Sequence, residues 1–212
     1  MKKSERANRV MDIFDKIYPD VKCTLNYSNP LEMLIATQLS AQCTDARVNI
    51  VTDSLFEKYR CAEDFARADR VELENDIRSA GFYRNKAKNI IACCQRLIDV
   101  YDGKVPDTME DLLTLPGTGR KTANLVLGDV YKQPAVVVDT HCIRLSNRIG
   151  LVNSEDPVKI EYDLKKLIPP QRQLKLCHQL VHHGRVRCNA RKPDCEDCEI
   201  KEYCKYFGLK SK

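Results

Sequence analysis

The stretch of sequence that decides the fold is LPGTGRKTAN, residues 115–124. It joins a helix predicted to end near Leu115 to another predicted to begin near Lys121. Gly117 and Gly119 can adopt positive φ angles and let another backbone approach closely. The turn then points successive N–H groups outward at a helix N-terminus, which prepares a site for a phosphate. The stretch therefore predicts a helix–hairpin–helix, a sequence-independent grip on DNA. The alternative is an αα-hairpin whose glycines serve tight packing.

Lys121 is of chemical interest because of its place after this turn. It is predicted to lie in the first turn of a helix, next to Arg120. The positive end of the helix dipole and the neighbouring guanidinium both disfavour the ammonium form. A neutral amine is the form that a Schiff-base nucleophile needs. Lys121 is therefore a candidate nucleophile, although a lysine at such a position is, on its own, more often a phosphate contact.

Asp139 is the candidate partner of Lys121. It follows an apolar run, residues 134–138, and precedes Thr140 and His141 at a predicted helix start. An aspartate in that position is commonly a helix N-cap, which is the alternative interpretation. A carboxylate held by helix N–H groups stays ionised. Capping and chemistry are therefore compatible.

Four cysteines close to the C-terminal end have the spacing C-x6-C-x2-C-x5-C: Cys188, Cys195, Cys198 and Cys204. Four thiolates in one irregular segment can surround one metal centre. Structural zinc sites usually show two close pairs of ligands, whereas this segment has one close pair between two wider loops. The spacing favours an iron–sulfur cubane, and zinc or no metal at all remain as alternatives. The other seven cysteines are predicted to be small buried hydrophobic residues.

A basic loop lies between the first two of these cysteines. It contains Arg191 and Lys192. A loop pinned at both ends by a metal is a rigid way to present positive charge to a phosphate. Both residues are therefore candidate DNA contacts, and an ordinary solvated loop is the alternative.

The rest of the chain predicts an all-α fold. Asn29 and Pro30 are typical of an N-cap and a first-turn proline. Helical periodicity covers a first helix containing Val10, Ile13 and Ile17, a helix from Pro30, and segments near 45–59, 70–80, 84–101, 107–115, 121–131, 139–149, 155–168 and 171–183. The apolar run 136–138 could form a short strand, but it is too isolated to make a sheet. From Gly184 onward the periodicity fades into a small C-terminal module.

Composition limits the class of protein. The 212 residues are enough for one large or two small domains, and the net charge of +5 is a mild bias toward polyanions. The N-terminus lacks the apolar core of a signal peptide, and no apolar stretch reaches membrane-spanning length. We therefore expect a protein that is not secreted, with reduced cysteines available for metal or catalysis.

Four pieces of the sequence together resemble the endonuclease III family of helix–hairpin–helix DNA glycosylases. They are LSAQCTD (39–45), LPGTGRKTAN (115–124), VDTH (138–141) and the cysteine set. They occur in the family's order, and the resemblance covers nearly the whole chain. It implies a 4Fe-4S cluster on the four cysteines. It also implies a six-helix barrel domain (23–133) beside a cluster domain (1–22 and 134–212), with the DNA cleft between them.

The resemblance further implies a bifunctional reaction in base excision repair. Lys121 corresponds to the family's nucleophile and Asp139 to its catalytic aspartate. The implied substrate is duplex DNA with an oxidised pyrimidine, which is flipped out, excised and cut 3′ to the lesion by β-elimination. Gln42 matches an intercalating glutamine. Phe82 stands where the family commonly has a leucine wedge, and it could instead be a core anchor.

The resemblance assigns weaker roles to two further residues and narrows the alternatives. Asp45 and His141 are expected to line or support the pocket, and His141 could instead be a satisfied histidine at a helix start. An adenine-mispair glycosylase generally lacks the lysine and carries a further domain. A non-catalytic DNA clamp would need neither Lys121 nor Asp139, and a zinc-bearing DNA scaffold protein is a third alternative. We expect a cytoplasmic, nucleoid-associated monomer of bacteria or archaea, without an obligate protein partner.

Overall fold

The computed structural model describes residues 1–210, and all regular structure in that range is helical. The α-helices are α1 (Lys3–Ile17), α2 (Pro30–Leu39), α3 (Asp45–Lys58), α4 (Ala62–Ala66), α5 (Arg70–Asp76), α6 (Tyr83–Tyr101), α7 (Met109–Leu112), α8 (Arg120–Leu125), α9 (Thr140–Ile149), α10 (Pro157–Leu167), α11 (Gln173–Val186) and α12 (Lys205–Lys210). Short 3-10 turns occupy Arg78–Ala80, Pro170–Arg172 and Lys201–Tyr203, and a π-helical segment, Val126–Val130, continues α8. The prediction of an all-α fold is confirmed.

The chain divides into two compact units. The central unit is Thr24–Gln133, and the terminal unit combines Met1–Cys23 with the chain from Pro134 onward. Each unit contains its own set of buried apolar side chains. Each side chain of that kind, once removed from water, contributes roughly 1.5–3 kcal/mol relative to an exposed one.

The central unit is built around α2. This helix begins as the sequence predicts, because Asn29 Oδ1 accepts a hydrogen bond from Glu32 N at 3.0 Å and Pro30 occupies the first turn. Residues 33–39 are all buried, and α2 contacts α3, α6 and α8. The long helix α6 packs against α4 and α5. The largest fully buried side chains of the unit are Met33, Leu34, Ile35, Leu39, Leu55, Phe65, Leu73, Ile77, Ile90 and Leu97.

The terminal unit joins the first helix to the last part of the chain. Helix α1 packs against α10 and α11, and α9 packs against α11 and α12. Phe14 lies 4.9 Å from the His183 ring, centroid to centroid. Arg172 reinforces the contact at the surface, donating to Asp12 at 3.0 Å and to Asp15 at 2.5 Å. Ionic and apolar contacts therefore both hold α1 in this unit.

Several predicted elements differ in detail from the structure. Segment 107–115 contains only the single turn of α7, and segment 70–80 is interrupted between α5 and a 3-10 turn. The short helices α4 and α12 were not predicted. Residues 136–138 lie in a segment without regular secondary structure, and no strand occurs within residues 1–210. Over the same range, no helix combines the length and the apolar character needed to cross a membrane.

Candidate active site and cluster site

The turn between α7 and α8 is anchored to the buried helix α2. Gly117 has a φ of +76°, in the left-handed region that glycine favours. Gln38 on α2 donates through Nε2 to Pro116 O at 3.1 Å and to Thr118 Oγ1 at 3.3 Å. Sequence reasoning placed Gln38 only on a helix, because a long-range contact to a turn leaves no periodic signal. The hairpin is therefore held in place by its own backbone and by one buried amide.

The two glycines of the hairpin differ in what a side chain would meet. A Cβ on Gly117 would lie 2.9 Å from Asn89 Cβ, in a left-handed backbone conformation, whereas a Cβ on Gly119 would meet nothing within 4 Å. We expect Gly117→Ala to lower the free energy of unfolding by about 1–3 kcal/mol, and Gly119→Ala to change it by less than about 0.5 kcal/mol. Denaturant unfolding of the two variants measures the difference. Equal losses in both would contradict this account of the turn.

Lys121 lies at the start of the helix that follows this turn. It is the second residue of α8 and its side chain is exposed, whereas residues 122–125 behind it are buried. Asn124 Nδ2 donates to Arg120 O at 3.0 Å, which supports the first turn of the helix. The Lys121 amine is therefore open to a ligand while the helix that carries it is fixed by its buried face.

Asp139 is the N-cap of α9. Its Oδ1 accepts a hydrogen bond from Cys142 N at 2.7 Å, and its backbone is extended, with a φ of −110°. The carboxylate is half-buried. The cap thus fixes the orientation of the Asp139 carboxylate at the start of α9, which is compatible with both interpretations of this residue.

His141 is packed tightly in the terminal unit. A Cβ added to Gly184 would lie only 2.6 Å from His141 Nδ1, so only glycine leaves room for the ring. Arg144 Nη2 lies 3.1 Å from Nδ1 and donates to Gly184 O and Cys188 O at the same distance. Because a guanidinium can only donate, its approach favours the tautomer in which Nδ1 is the acceptor and Nε2 carries the proton. Burial lowers the pKa of His141, and the nearby Asp139 partly opposes that shift. The imidazole is therefore a neutral, oriented donor.

Gln42 and Phe82 share an unusual backbone conformation in the central unit. Gln42 has a φ of 53° and Phe82 a φ of 48°, both in the left-handed region that non-glycine residues rarely adopt. Both are exposed, and Phe82 leaves 63% of its surface open to solvent. The interpretation of Phe82 as a core anchor is therefore wrong.

Close to Gln42 in sequence, the half-buried Asp45 accepts a hydrogen bond from Thr24 Oγ1 at 2.5 Å.

The four cysteines at the C-terminal end line one cavity in the terminal unit. Leu145, Ile149 and Ile200 contribute apolar walls to this cavity. Burial raises the pKa of the Cys198 thiol to about 11 and also raises that of Cys204. A metal bound here would have to displace these protons, as metal centres do when they bind thiolates. The four cysteines that line the cavity are Cys188, Cys195, Cys198 and Cys204.

The donor set of the cavity can be compared with what zinc and an iron–sulfur cluster require. Within residues 1–210, no three Cys, His, Asp or Glu side chains converge closely enough to hold a single metal ion. A zinc ion needs its four ligands at about 2.0–2.3 Å. An iron–sulfur cluster presents separate iron atoms to its four cysteines, so it suits thiols distributed around a cavity. Four cysteines around one cavity are therefore a donor set that fits a cluster.

An arginine that the sequence did not single out holds the loop between the first two cysteines. Arg148 on α9 donates to Asn189 O at 2.8 Å and to Ala190 O at 2.7 Å, and its Nη1 lies 3.4 Å from Cys188 Sγ. Arg191 and Lys192, which follow in the same loop, are exposed. The loop is therefore tied to α9 at its base and presents its two basic side chains to solvent.

Comparisons with known proteins agree over most of the chain. Residues 35–170 match the family described as HhH-GPD superfamily base excision DNA repair protein. The chain is similar to an endonuclease III of Synechocystis sp. (strain PCC 6803), with 49% identity over 95% of this chain and 93% of that protein. It is also similar to an endonuclease III of Bacillus subtilis (strain 168), with 42% identity over 92% of this chain and 90% of that protein.

Solved structures give the same result. A non-covalent endonuclease III–DNA complex matches with a TM-score of 0.93 and 42% identity, covering 100% of this chain and 99% of that one. A trapped endonuclease III–DNA covalent intermediate, an estranged-adenine complex, matches with a TM-score of 0.94 and 42% identity over 100% of both chains. The chain belongs to the endonuclease III family, within the HhH-GPD superfamily of base excision DNA repair proteins.

Proposed function

We propose that Lys121 and Asp139 carry out the chemistry of this bifunctional DNA glycosylase and abasic-site (AP) lyase. The observation that carries the proposal is the exposed Lys121 on α8, directly after a turn in which Gly117 adopts a left-handed φ of +76°. A relative with 42% identity has been trapped as a covalent intermediate with DNA, which supports a covalent step. Asp139 contributes an ionised carboxylate held by the cap of α9.

The proposed reaction has two stages at one sugar. The damaged base, an oxidised pyrimidine, leaves the stack and enters a pocket. Asp139 helps to activate the lysine and stabilises the positive charge that develops on the sugar. The amine of Lys121 attacks C1′ and the C1′–N bond to the base breaks, the base leaving with a proton. The C1′–O4′ bond then opens, O4′ takes up a proton and the amine loses one, which gives the Schiff base. β-Elimination follows: a proton is removed from C2′, a C2′–C3′ double bond forms and the 3′ phosphate leaves, which cuts the strand 3′ to the lesion.

The DNA contacts are assigned to exposed residues. Backbone N–H groups at Gly117 and Gly119, with Arg120, hold a backbone phosphate. The exposed aromatic ring of Phe82 acts as a wedge between base steps, and Gln42 fills the place of the flipped nucleotide. Exposure of Phe82 supports this role, because an apolar side chain open to water gains from burial in a base stack.

The residues of the terminal unit complete the assignment. His141, a neutral imidazole, supports the pocket beside Asp139, and Asp45 in the central unit is assigned a pocket role on the family pattern. Arg191 and Lys192 contact phosphates from the loop that Arg148 ties down. On the same family pattern, we assign residues 23–133 to a six-helix barrel domain and residues 1–22 and 134–212 to a cluster domain.

A 4Fe-4S cluster is the proposed cofactor of the terminal unit. The four residues that would hold it are Cys188, Cys195, Cys198 and Cys204. When bound, it cross-links the irregular segment after α11 and so fixes the basic loop between the first two ligands. The single cavity that all four cysteines line supports this assignment, and their C-x6-C-x2-C-x5-C spacing favours it over zinc.

Asp139→Asn tests the proposed chemistry without removing the helix cap. Asparagine caps helices as well as aspartate does, so the free energy of unfolding should change by less than about 1 kcal/mol. The rate of base excision should fall on the order of 100-fold to 1000-fold, because the charge at the reacting sugar is lost. Single-turnover excision from a duplex with an oxidised pyrimidine measures this rate.

Asp156→Asn is the matched control for this variant. Asp156 caps α10 in the same unit, with Oδ1 accepting from Val158 N at 2.7 Å and Lys159 N at 3.0 Å. It has no proposed part in the reaction, so its asparagine variant should excise at the wild-type rate. Equal losses at the two positions would mean that capping, and not the charge of Asp139, sets the rate.

A further inference from the structure

Lys86 on α6 is a charged side chain buried inside the central unit. It is only 6% exposed, and its Nζ donates to Leu39 O at 2.8 Å and to Ala80 O at 2.9 Å. A buried ammonium is costly unless its protons find acceptors, and burial lowers the pKa of Lys86. Its position as the fourth residue of α6 adds a second unfavourable effect, since cations are disfavoured near a helix N-terminus. The hydrogen bonds to the two carbonyls therefore stabilise the Lys86 ammonium in its buried position.

The two acceptors are the last carbonyls of two helical segments. Leu39 ends α2, and Ala80 ends the 3-10 turn Arg78–Ala80. The final carbonyls of a helix lack partners within it and carry its partial negative charge. One ammonium therefore joins two helix ends that are far apart in sequence.

Each of these helix ends leads directly into a turn with a proposed DNA contact. Gln42 lies three residues after Leu39, and Phe82 lies two residues after Ala80. Both residues adopt left-handed φ angles and both are exposed. Left-handed conformations of non-glycine residues persist only where the surrounding structure holds them, and they are common at ligand clamps. Lys86 is the buried group that links the bases of the two turns.

We propose that Lys86 is a positioning residue that holds the Gln42 and Phe82 turns in register, so that both side chains enter the duplex together as the damaged nucleotide leaves the stack. The inference rests on the DNA roles proposed above for Gln42 and Phe82. Lys86 does not touch the DNA itself, because its ammonium is enclosed by protein. Its effect is therefore on the step in which a base is extruded.

Lys86→Met tests the inference, because methionine keeps the apolar stem and removes the ammonium. Excision of a stacked, paired lesion should fall about 100-fold, the loss typical of a displaced positioning group. Cleavage at a preformed abasic site should fall less than about threefold, since no base has to be extruded. Single-turnover rates on the two duplexes give the ratio of lesion excision to abasic-site cleavage. Lys86→Arg keeps the charge and the donors, so its ratio should lie between those of Lys86→Met and the wild type.

Ile90→Val is the control for loss of stability. Ile90 is fully buried on the same helix, and the variant removes one methyl group without touching either carbonyl. It should lower Tm while leaving the ratio of the two rates at the wild-type value. A Lys86→Met variant with the wild-type ratio would overturn the inference. Should Lys86→Met fail to fold, Lys86→Gln, which retains a donor, takes its place in the same comparison.

A double-mutant cycle separates this inference from the proposed function. In a Gln42→Ala/Phe82→Ala background, adding Lys86→Met should lower the excision rate on the stacked lesion by less than about a further threefold. The side chains that Lys86 positions are already absent from this background. A full 100-fold further loss would overturn the positioning role. A Gln42→Ala/Phe82→Ala variant with the wild-type rate would overturn the proposed DNA contacts and this inference together. An impaired double variant beside an unimpaired Lys86→Met would overturn this inference alone.

Discussion

Lys121→Gln is expected to abolish covalent trapping of the protein on damaged DNA. Wild-type protein incubated with a duplex that contains an oxidised pyrimidine, and then with borohydride, should become linked to the strand because borohydride reduces the Schiff base. Glutamine has no amine that can attack C1′, so excision and strand cleavage should both fall at least about 10⁴-fold. A denaturing gel of end-labelled DNA measures the trapped complex and the nick in one experiment.

Lys121→Arg separates the nucleophile from the charge. Arginine keeps a cation at the start of α8, but its guanidinium stays protonated and forms no Schiff base. We expect this variant to bind the duplex within about threefold of wild type, as retained phosphate attraction requires, and to show no trapping. Trapping by Lys121→Gln would place the nucleophile elsewhere, and a wild type that binds without ever being trapped would contradict the lyase reaction.

The sequence predicted the long helices because their buried faces repeat with helical period. It predicted α2 from Asn29 and Pro30, which act locally and are found in those roles. Helix α4 escaped prediction because its five residues are too few for a period. It is stabilised by the Cys61–Asp64 capping box and by the buried Phe65, which stacks on Tyr59 at 4.9 Å. Such a contact depends on the tertiary fold and leaves no mark in a short segment.

The candidate site was predicted unevenly for a related reason. The left-handed φ of Gly117 and the Asp139 cap arise within a few residues, so they could be expected from sequence. The prediction of a positive φ at Gly119 was wrong, because this residue is the N-cap of α8 and has an extended backbone with a φ of −100°. The burial of Lys86 could not be predicted from local sequence, because a lysine on an amphipathic helix is normally expected to be exposed to solvent. Only the fold shows that its ammonium meets the ends of two other segments. The left-handed backbone of Phe82 is likewise set by its turn and not by its residue type.

Cys198→Ala is expected to remove the cluster and with it part of the grip on DNA. The purified wild-type protein should be brown, with a broad visible absorption band that zinc cannot give, and the variant should lose that band. Loss of the cross-link frees the loop that carries Arg191 and Lys192. If each of these residues neutralises one phosphate, the slope of log affinity against log salt should become shallower by about 2. Duplex binding titrated at several salt concentrations measures that slope.

Cys61→Ala is the control that shows whether the effect of Cys198→Ala is specific to the cavity. Cys61 is a thiol of similar, intermediate exposure that belongs to the central unit and does not line the cavity. Its variant should keep both the absorption band and the salt slope of wild type. Arg191→Gln/Lys192→Gln, with the cluster intact, should reproduce the change of slope while leaving the band in place. If Cys198→Ala lost the band but kept the full slope, the cluster would stabilise the terminal unit without positioning the basic loop, because metal binding contributes to folding wherever the ligands lie.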